Sequence, residues 1–294
     1  QSSKAYAFSL VTSALTFVVT QSSKAYAFSY FYEKKLKMTL IQDFKNGVCT
    51  LTLNRPQVFN SFNKEMALAL QKALDECEKD DAVRAIVIKG EGKAFCAGQD
   101  LAEATDPNGP EMQSIVKDHY NPIIERIRNI EKPIIAGVNG VAAGAGANIA
   151  LACDIAIAKE SASFIQAFSK IGLIPDSGGT FLLPRLVGTQ KAMALMMTGE
   201  KVSAKDAVAM NMIYKAVSDE AFEAELIQFA ENLASMPTYG LGLTKRAINA
   251  SFTNNLTQQL ALEEELQTLA GKSEDFKEGV TAFLEKRAPV FKGK

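Results

Sequence analysis

Asp176 is the residue whose sequence setting most strongly indicates chemistry. It lies in the run Gly-Leu-Ile-Pro-Asp-Ser-Gly-Gly-Thr at residues 172–180, and the neighbouring segments 164–168 and 181–183 are mostly apolar. An unpaired carboxylate is costly to bury, so an aspartate here is either tightly hydrogen-bonded or retained for a reaction. Asp176 is therefore a candidate catalytic residue.

Two segments of small residues indicate a site for a negatively charged oxygen. Residues 94–101 read AFCAGQDL and residues 139–148 read NGVAAGAGAN, and each is a small-residue turn that follows a short apolar run. Small residues let a ligand approach the backbone closely, and free N–H groups at a turn or a helix start can hold an anion.

The composition argues against several other kinds of site. With 32 basic and 33 acidic residues the formal net charge is −1, and no basic stripe favours nucleic acid or a membrane as a partner. The single histidine, His119, disfavours a Ser-His-Asp triad or a multi-histidine metal site, and we expect it on the surface of a helix. The four cysteines form no CxxC pair, which favours a reducing cytosol and predicts no metal site.

Residues 1–37 differ from the rest of the chain. The run QSSKAYAFS at residues 1–9 is repeated letter for letter at residues 21–29, and the apolar run between them is too short to span a bilayer. That run could pass for the apolar part of a signal peptide, although only Lys4 precedes it. We treat residues 1–37 as a non-native or appended extension and begin the fold at Met38.

The middle of the chain alternates strand and helix patterns. Strands are predicted at residues 48–53, 85–88, 133–138 and 154–158. Helices are predicted after the capping residue Asn63 and at residues 118–130 and 144–152. This alternation favours an α/β fold with parallel pairing of buried strands.

After about residue 186 the sequence shows only helical patterns. Helices are predicted at residues 190–197, 203–210, 220–234, 238–251, 256–270 and 274–286. The last one begins after Ser273, a capping residue, and its apolar face could pack on a partner subunit or on the chain's own core. We divide the chain into the extension 1–37, a catalytic core at 38–230 and a C-terminal helical region at 231–294.

The three segments, in this order and spacing, resemble the crotonase (enoyl-CoA hydratase/isomerase) superfamily. The resemblance runs from about Met38 to Lys294 and includes Asn54-Arg55-Pro56 and the run LPRLVG at 183–188. It implies a crotonase-like spiral of ββα units with a C-terminal helical region for trimerisation. It also implies that the backbone N–H groups of Gln99 and Ala145 hold a thioester oxygen as it gains enolate charge.

Departures from the superfamily pattern favour isomerisation over hydration. Hydratases of the superfamily place and activate a water with two glutamates, at positions where this chain has Asn148 and Phe168. Neither side chain can act as a base. Asp176 stands where hydratases usually carry a small residue, and a lone carboxylate in an apolar pocket suits proton transfer next to a thioester.

A lone aspartate at this position is similar to two subgroups of the superfamily. One comprises the isomerases of aerobic phenylacetate breakdown, which act on ring-1,2-epoxyphenylacetyl-CoA, and the other comprises 4-chlorobenzoyl-CoA dehalogenases. The dehalogenase pattern has a tryptophan at the position of Phe168 with a histidine beside it, whereas this chain has no tryptophan and has Ser169 there. The resemblance thus implies an acyl-CoA isomerase that forms oxepin-CoA and also shifts 3-enoyl-CoA to 2-enoyl-CoA.

The resemblance further implies how the substrate is bound. A coenzyme A thioester is the substrate, with no permanently bound cofactor and no metal. The expected substrate- and CoA-binding residues are Arg55, Phe59, Ser61, Ala97, Gly98, Asp100, Leu101, Asn148, Phe164, Phe168, Phe283 and Lys286. The last two could belong to a neighbouring subunit, since a cytoplasmic homotrimer or hexamer is expected.

Two alternatives stay open. A general fatty-acid enoyl-CoA isomerase or hydratase is the nearest enzymatic rival, and an isomerase of that kind needs the same single base and oxyanion hole. A crotonase fold can also serve as a weakly catalytic binding protein, and some relatives bind RNA. The near-neutral charge and the specific placement of Asp176 argue against that second alternative.

Overall fold

The computed structural model describes residues 38–294, and the expectations for residues 1–37 lie outside the described residues. Residues Thr39–Lys294 form one compact unit. Its strands are β1 (Leu40–Lys45), β2 (Val48–Leu53), β3 (Ala85–Gly90), β4 (Ala94–Cys96), β5 (Ile134–Val138), β6 (Val141–Ala143), β7 (Ile155–Lys159), β8 (Ser163–Ile165), β9 (Lys201–Ser203) and β10 (Lys215–Val217).

The α-helices of this unit lie between and after these strands. They are α1 (Lys64–Lys79), α2 (Leu101–Ala104), α3 (Met112–Ser114), α4 (Asn121–Asn129), α5 (Ala145–Ala152), α6 (Gly179–Val187), α7 (Thr189–Thr198), α8 (Ala204–Ala209), α9 (Phe222–Ser235), α10 (Thr238–Ser251), α11 (Leu256–Ala270) and α12 (Glu274–Glu285). Short 3-10 helices cover Pro56–Val58 and Ala167–Ile171, and a π-helix covers Ile115–Tyr120. None of the described helices has the length and apolar character needed to cross a membrane.

The strands form two sheets, and the chain adds strands to them alternately. The larger sheet has the order β1-β2-β3-β5-β7-β10 and the smaller sheet has the order β4-β6-β8-β9. Within each of the pairs β3–β4, β5–β6 and β7–β8, the first strand joins the larger sheet and the second joins the smaller one, and a helical segment follows. This repetition is the predicted spiral of ββα units, and it brings the ends of β4 and β6 side by side.

The larger sheet is covered on both faces, which explains its apolar strands. Successive strand residues point to opposite faces, so Ile86 and Ile88 of β3 lie in the main core with Leu70 of α1. Val87 lies in a second core on the other face, with Phe222 of α9. A strand buried on both sides reads as a continuous apolar run, as the sequence pattern indicated.

The expectation that strands end near residue 186 was wrong. Strands β9 and β10 follow that point, and each has only three residues. A three-residue strand is too short to produce a readable alternation, and the same limit hid β4 and β6 within segments expected to be turns.

His119 is buried rather than on a helix surface as expected. Its side chain lies in the π-helix Ile115–Tyr120, where Ile115, His119 and Tyr120 all face the interior. The i→i+5 bonding of a π-helix brings Tyr120 onto the face of Ile115, whereas the spacing of Ile115 and His119 is that of an ordinary helix, so the burial of His119 reflects what this segment packs against. Burial lowers the pKa of His119, which favours the neutral imidazole.

The C-terminal helices α10, α11 and α12 carry exposed apolar residues. Leu256 and Leu284 are each 74% exposed, and Phe283 is 82% exposed. The boundary expected at residue 230 falls inside helix α9, and the division between a catalytic core and a C-terminal region stays a prediction.

Candidate active site

Two glycine turns at the ends of β4 and β6 form the centre of the site. Gly98 has a φ of 96° and Gly144 a φ of 53°, both in the region that favours glycine. The turns lie against each other, because a Cβ atom built on Gly98 would be 3.0 Å from the Ala143 carbonyl oxygen and 3.6 Å from the Ala145 nitrogen. A side chain at Gly98 would therefore separate the two turns.

The backbone N–H groups of Gln99 and Ala145 both lack a hydrogen-bond acceptor in the described chain. Ala145 is the first residue of α5, and a first-turn N–H group has no acceptor within its own helix. Gln99 forms a parallel bridge with Phe62 in which the neighbouring Gly98 oxygen and Asp100 nitrogen make the hydrogen bonds. Because no acceptor for either N–H group is found among residues 38–294, both donors remain unpaired, and their role towards a substrate oxygen stays a prediction.

The side chain of Gln99 is held on both sides. The Tyr120 hydroxyl donates to Gln99 Oε1 over 2.9 Å, and Gln99 Nε2 donates to Glu103 Oε2 over 3.2 Å. Glu103 also accepts from the Lys64 N–H at the start of α1 over 3.0 Å. Tyr120 itself is buried and packs edge-to-face on Phe62, with ring centroids 5.7 Å apart. These contacts hold the turn that carries the Gln99 donor.

An ion pair supports the same turn from its other side. Arg55 Nη2 lies 2.7 Å from Asp100 Oδ2, and Arg55 Nη1 donates to the Ser61 carbonyl oxygen over 2.6 Å. Asp100 Oδ1 also accepts from the Ala102 N–H and caps α2. The two paired side chains are each 15% exposed, so this pair is largely shielded from water.

Three predicted CoA-binding residues lie at the surface beside this ion pair. Phe59 and Leu101 are exposed apolar residues, and the Ala97 N–H donates to the Phe59 carbonyl oxygen over 3.0 Å. The structure thus brings the predicted residues of segments 55–61 and 97–101 together on one side of the Gln99 turn. Their contact with CoA stays a prediction.

Asp176 lies in the loop between the 3-10 helix Ala167–Ile171 and α6. The Ser177 hydroxyl donates to its Oδ1 over 2.9 Å, and no lysine or arginine of the described residues pairs with the carboxylate. Burial raises the pKa of Asp176, while the Ser177 hydrogen bond opposes that shift. The result is a partly buried carboxylate with increased basicity.

Tyr120 contacts the Gln99 turn directly, and its phenol also senses the charge of Asp176. Burial raises the pKa of the Tyr120 phenol well above its ordinary range, and the nearby negative charges of Asp176 and Glu103 contribute to the same shift. The hydroxyl therefore stays protonated and can keep donating to Gln99. Asn148, on the helix that begins at Ala145, also bonds to the Asp176 carbonyl oxygen, so Asp176 lies close to that helix.

Asn148 is fully buried, and both polar groups of its side chain bond to the protein. Its Nδ2 donates to the Asp176 carbonyl oxygen over 2.8 Å, and its Oδ1 accepts from Gln166 Nε2 over 2.8 Å. Asn148 was predicted to be a substrate-binding residue. Its hydrogen bonds go to the Asp176 loop and to Gln166, and its contact with a substrate stays a prediction.

The predicted aromatic residues divide into two groups. Phe164 and Phe168 are buried, and the Phe168 ring lies 3.8 Å from a Cβ atom built on Gly144, next to the Ala145 donor. Phe283 and Lys286 lie at the end of α12, where both are exposed. No hydrogen bond or ion pair in the described chain links Lys286 to the site.

Tyr120 and Gln166 are site residues that sequence analysis did not assign. Tyr120 lies in a π-helix, which has no sequence signature of its own. Gln166 is the polar residue within the apolar run 164–168, and that isolated polarity was the available signal. Residues 38–294 contain no group of three or more histidine, cysteine, aspartate or glutamate side chains arranged to hold a metal.

The sequence matches a family model for enoyl-CoA hydratase/isomerase over residues 43–294. The chain belongs to this family. It is 50% identical over 258 residues to 1,2-epoxyphenylacetyl-CoA isomerase of Escherichia coli K12, covering 87% of this chain and 98% of that protein. It is 38% identical over 260 residues to trans-2-decenoyl-[acyl-carrier-protein] isomerase of Streptococcus mutans, with the same shares of 87% and 98%.

Solved structures show the same architecture. The enoyl-CoA hydratase of Bacillus anthracis superposes with a TM-score of 0.81 at 32% identity, covering 87% of this chain and 100% of that one. The predictions that this chain has a crotonase fold and is an enzyme of this family are therefore confirmed.

Proposed function

We propose that this enzyme is an acyl-CoA isomerase in which Asp176 moves one proton from the α-carbon to the γ-carbon of the acyl group. The observation that carries the proposal is the combination at one site of an unpaired, partly buried carboxylate and two free backbone donors. The absence of a carboxylate at Asn148 and Phe168 supports isomerisation, since neither side chain can activate water as a base.

The Gln99 and Ala145 amides provide the electrostatic part of the mechanism. With the thioester oxygen between them, they stabilise the negative charge that develops when the α-proton leaves. In other enzymes the loss of one such donor costs about 2.7–4 kcal/mol of transition-state stabilisation. Because both donors belong to the backbone, the fixed turns at Gly98 and Gly144 supply the preorganisation.

Asp176 provides the proton transfer. Its ionised carboxylate removes the α-proton, which leaves an enolate, and the same carboxyl group then returns a proton to the γ-carbon as the double bond moves. The reaction is balanced without any co-reactant, because one proton and one electron pair change position within the substrate. A raised pKa brings the carboxylate closer to the proton affinity that this transfer needs.

The 50% identity to 1,2-epoxyphenylacetyl-CoA isomerase supports a ring epoxide as the substrate. In that substrate the bond between the two epoxide carbons opens to a seven-membered oxepin, and the α-to-γ proton shift gives oxepin-CoA with a double bond outside the ring. The same shift turns a linear 3-enoyl-CoA into a 2-enoyl-CoA. The similarity to a decenoyl isomerase supports this second activity.

The proposal includes a CoA thioester as substrate, with no permanently bound cofactor. Arg55, Phe59, Ala97 and Leu101 are proposed to contact the CoA, because they adjoin the Gln99 turn and two of them are exposed apolar residues. A homotrimer or hexamer in the cytoplasm is proposed on the same family basis. The exposed apolar residues of α11 and α12 support such an assembly.

The test is a comparison of the wild type with Asp176→Asn on ring-1,2-epoxyphenylacetyl-CoA, 3-enoyl-CoA and 2-enoyl-CoA. We expect the wild type to isomerise the first two and to hydrate the third poorly, and Asp176→Asn to lose about 10²–10⁴-fold in kcat on both isomerisations. The matched control is Asp43→Asn, an exposed aspartate of β1. Hydration as the main activity, or full activity in Asp176→Asn, would overturn the proposal.

A further inference from the structure

A chain of buried amides connects the proposed base to the helix that carries an oxyanion donor. Gln166 Nε2 donates to Asn148 Oδ1 over 2.8 Å, and Asn148 Nδ2 donates to the Asp176 carbonyl oxygen over 2.8 Å. Asn148 is fully buried, and Gln166 is 5% exposed. We name these two side chains and the Asp176 carbonyl the amide relay.

The direction of the amide relay is fixed by its last member. A backbone carbonyl oxygen can only accept, so Asn148 must present its NH₂ group to Asp176. Its oxygen must then face a donor, and Gln166 supplies one. Gln166 Oε1 is left buried without a partner among the described residues, so the relay is retained despite an unsatisfied acceptor.

The amide relay spans two parts of the site that are far apart in sequence. Asn148 belongs to α5, whose first N–H group is the Ala145 donor, and its own N–H bonds to the Gly144 carbonyl oxygen over 3.2 Å. On the other side, the Asp176 carbonyl oxygen also accepts from the Gly179 N–H over 2.9 Å. A Cβ atom built on Gly179 would lie 2.3 Å from Asn148 Nδ2, so this close approach requires a glycine there.

We infer that Asn148 and Gln166 are positioning residues that fix the Asp176 backbone relative to the Ala145 donor, and so aim the base at the α-carbon of the bound thioester. This inference rests on the proposed function. It has a consequence for specificity at position 148, where hydratases carry one of their glutamates. An ionised carboxylate there would face the Asp176 carbonyl oxygen and would have no proton to donate to it. The relay that positions the isomerase base therefore excludes a hydratase base at the same place.

Two isosteric variants test the relay by breaking one hydrogen bond each. In Asn148→Asp the ionised side chain no longer donates to Asp176, and in Gln166→Glu the ionised side chain no longer donates to Asn148. We expect kcat for 3-enoyl-CoA isomerisation to fall by about 100-fold for Asn148→Asp, since small misplacements of reacting groups cost that much, with KM changed by less than about 3-fold. The control is Ser163→Ala, which removes a buried hydroxyl that has no partner among residues 38–294.

A pH profile separates positioning from a general structural effect. In Asn148→Asp, the introduced carboxyl group can donate to the Asp176 carbonyl oxygen when it is protonated, much as the native amide does. This variant should therefore regain activity relative to the wild type at low pH and lose it as the pH rises through the pKa of the introduced carboxyl. The wild type should not show this loss of activity with rising pH. The melting temperature is measured across the same pH range, so that a general loss of stability can be recognised.

Hydrogen–deuterium exchange gives a readout that does not depend on activity. Peptides covering residues 172–180 should take up deuterium faster in Asn148→Asp and Gln166→Glu than in the wild type or Ser163→Ala. If the wild type itself lacks isomerase activity, faster exchange in the two variants would support the positioning role and overturn only the proposed function. Unchanged exchange together with unchanged kcat in Gln166→Glu, the variant at the far end of the relay, would overturn the inference.

Discussion

Asp154 and Asp176 are both partly buried aspartates whose pKa is raised by burial, yet their surroundings are opposite. Asp154 lies 2.9 Å from Lys245 Nζ and 3.7 Å from Arg128 Nη1, and it accepts from the Ile134 N–H over 2.9 Å. Asp176 has the Ser177 hydroxyl and no cation among the described residues. The comparison indicates that pairing with cations, rather than burial alone, distinguishes the structural carboxylate of Asp154 from the proposed base Asp176.

The partners of Asp154 explain its structural role. Lys245 of α10 also donates to the Ile127 carbonyl oxygen over 2.7 Å, and Ile134 opens β5. One carboxylate therefore ties the C-terminal helix α10 to the larger sheet. The side-chain partner of the Asp176 carboxylate in the described chain is the adjacent Ser177, whereas the Asp176 backbone carbonyl accepts from Asn148 and Gly179.

The largest expected effect is a loss of stability in Asp154→Asn, which distinguishes Asp154 from Asp176. Asp154→Asn leaves Lys245 buried without its counter-charge, and breaking a buried pair in this way typically costs about 3–5 kcal/mol. Denaturant unfolding should show this loss, while kcat per folded molecule should stay near the wild-type value. A catalytic loss in Asp154→Asn without a loss of stability would contradict the distinction.

A second variant perturbs the catalytic region without changing its charge. Tyr120→Phe removes the hydroxyl that bonds to Gln99 Oε1 and leaves that partly buried oxygen without its donor, which typically costs about 1–3 kcal/mol. We expect kcat on 3-enoyl-CoA to fall by at most about 5- to 150-fold, the equivalent of that range, because the turn that carries the Gln99 N–H loses a support. Steady-state kinetics would check this, and an unchanged kcat would show that the turn is held without Tyr120.

Asp176→Asn should have a smaller effect on stability than Asp154→Asn, and in the opposite direction. The pKa of Asp176 is higher in the folded state than in the unfolded chain, so the folded state binds more protons and its ionised carboxylate lowers stability at neutral pH. Asp176→Asn should therefore melt at a higher temperature than the wild type at pH 7. The difference should disappear below about pH 3.9, the ordinary value for aspartate, and a lower melting temperature at pH 7 would contradict the account.

The smallest expected effect is a shift in the pH profile. Ser177→Ala removes a hydrogen bond that favours the ionised form of Asp176, so the pKa of this carboxyl rises further. Because the reaction needs the ionised form, the acid limb of kcat/KM should move to higher pH. A shift to lower pH would mean that the hydroxyl does not stabilise the carboxylate.

The features that the sequence could predict are those with a local cause. Asn63 and Ser273 were predicted as helix caps, and their side chains accept from the N–H groups of Met66 and Phe276. The Gly98 turn could likewise be read from its small residues. The crotonase fold followed from motifs in a recognisable order, each of which depends on neighbouring residues.

The features that the sequence could not predict depend on contacts between distant segments. The pairing of Asp154 with Lys245 joins the start of β7 to α10, and nothing near either residue indicates the other. The amide relay links Gln166, Asn148 and Asp176 across three elements. His119 is buried in the π-helix Ile115–Tyr120, which packs on α1, and nothing in the sequence near His119 indicates that contact.

The most direct test of the central claim follows the α-hydrogens of phenylacetyl-CoA, an analogue without the epoxide that cannot rearrange, in deuterated water by mass spectrometry. If Asp176 removes the α-proton while the Gln99 and Ala145 amides hold the enolate, the wild type should exchange these hydrogens for deuterium. Asp176→Asn should exchange them at least about 100-fold more slowly. Exchange by Asp176→Asn at the wild-type rate would contradict the account, because another group would then be the base.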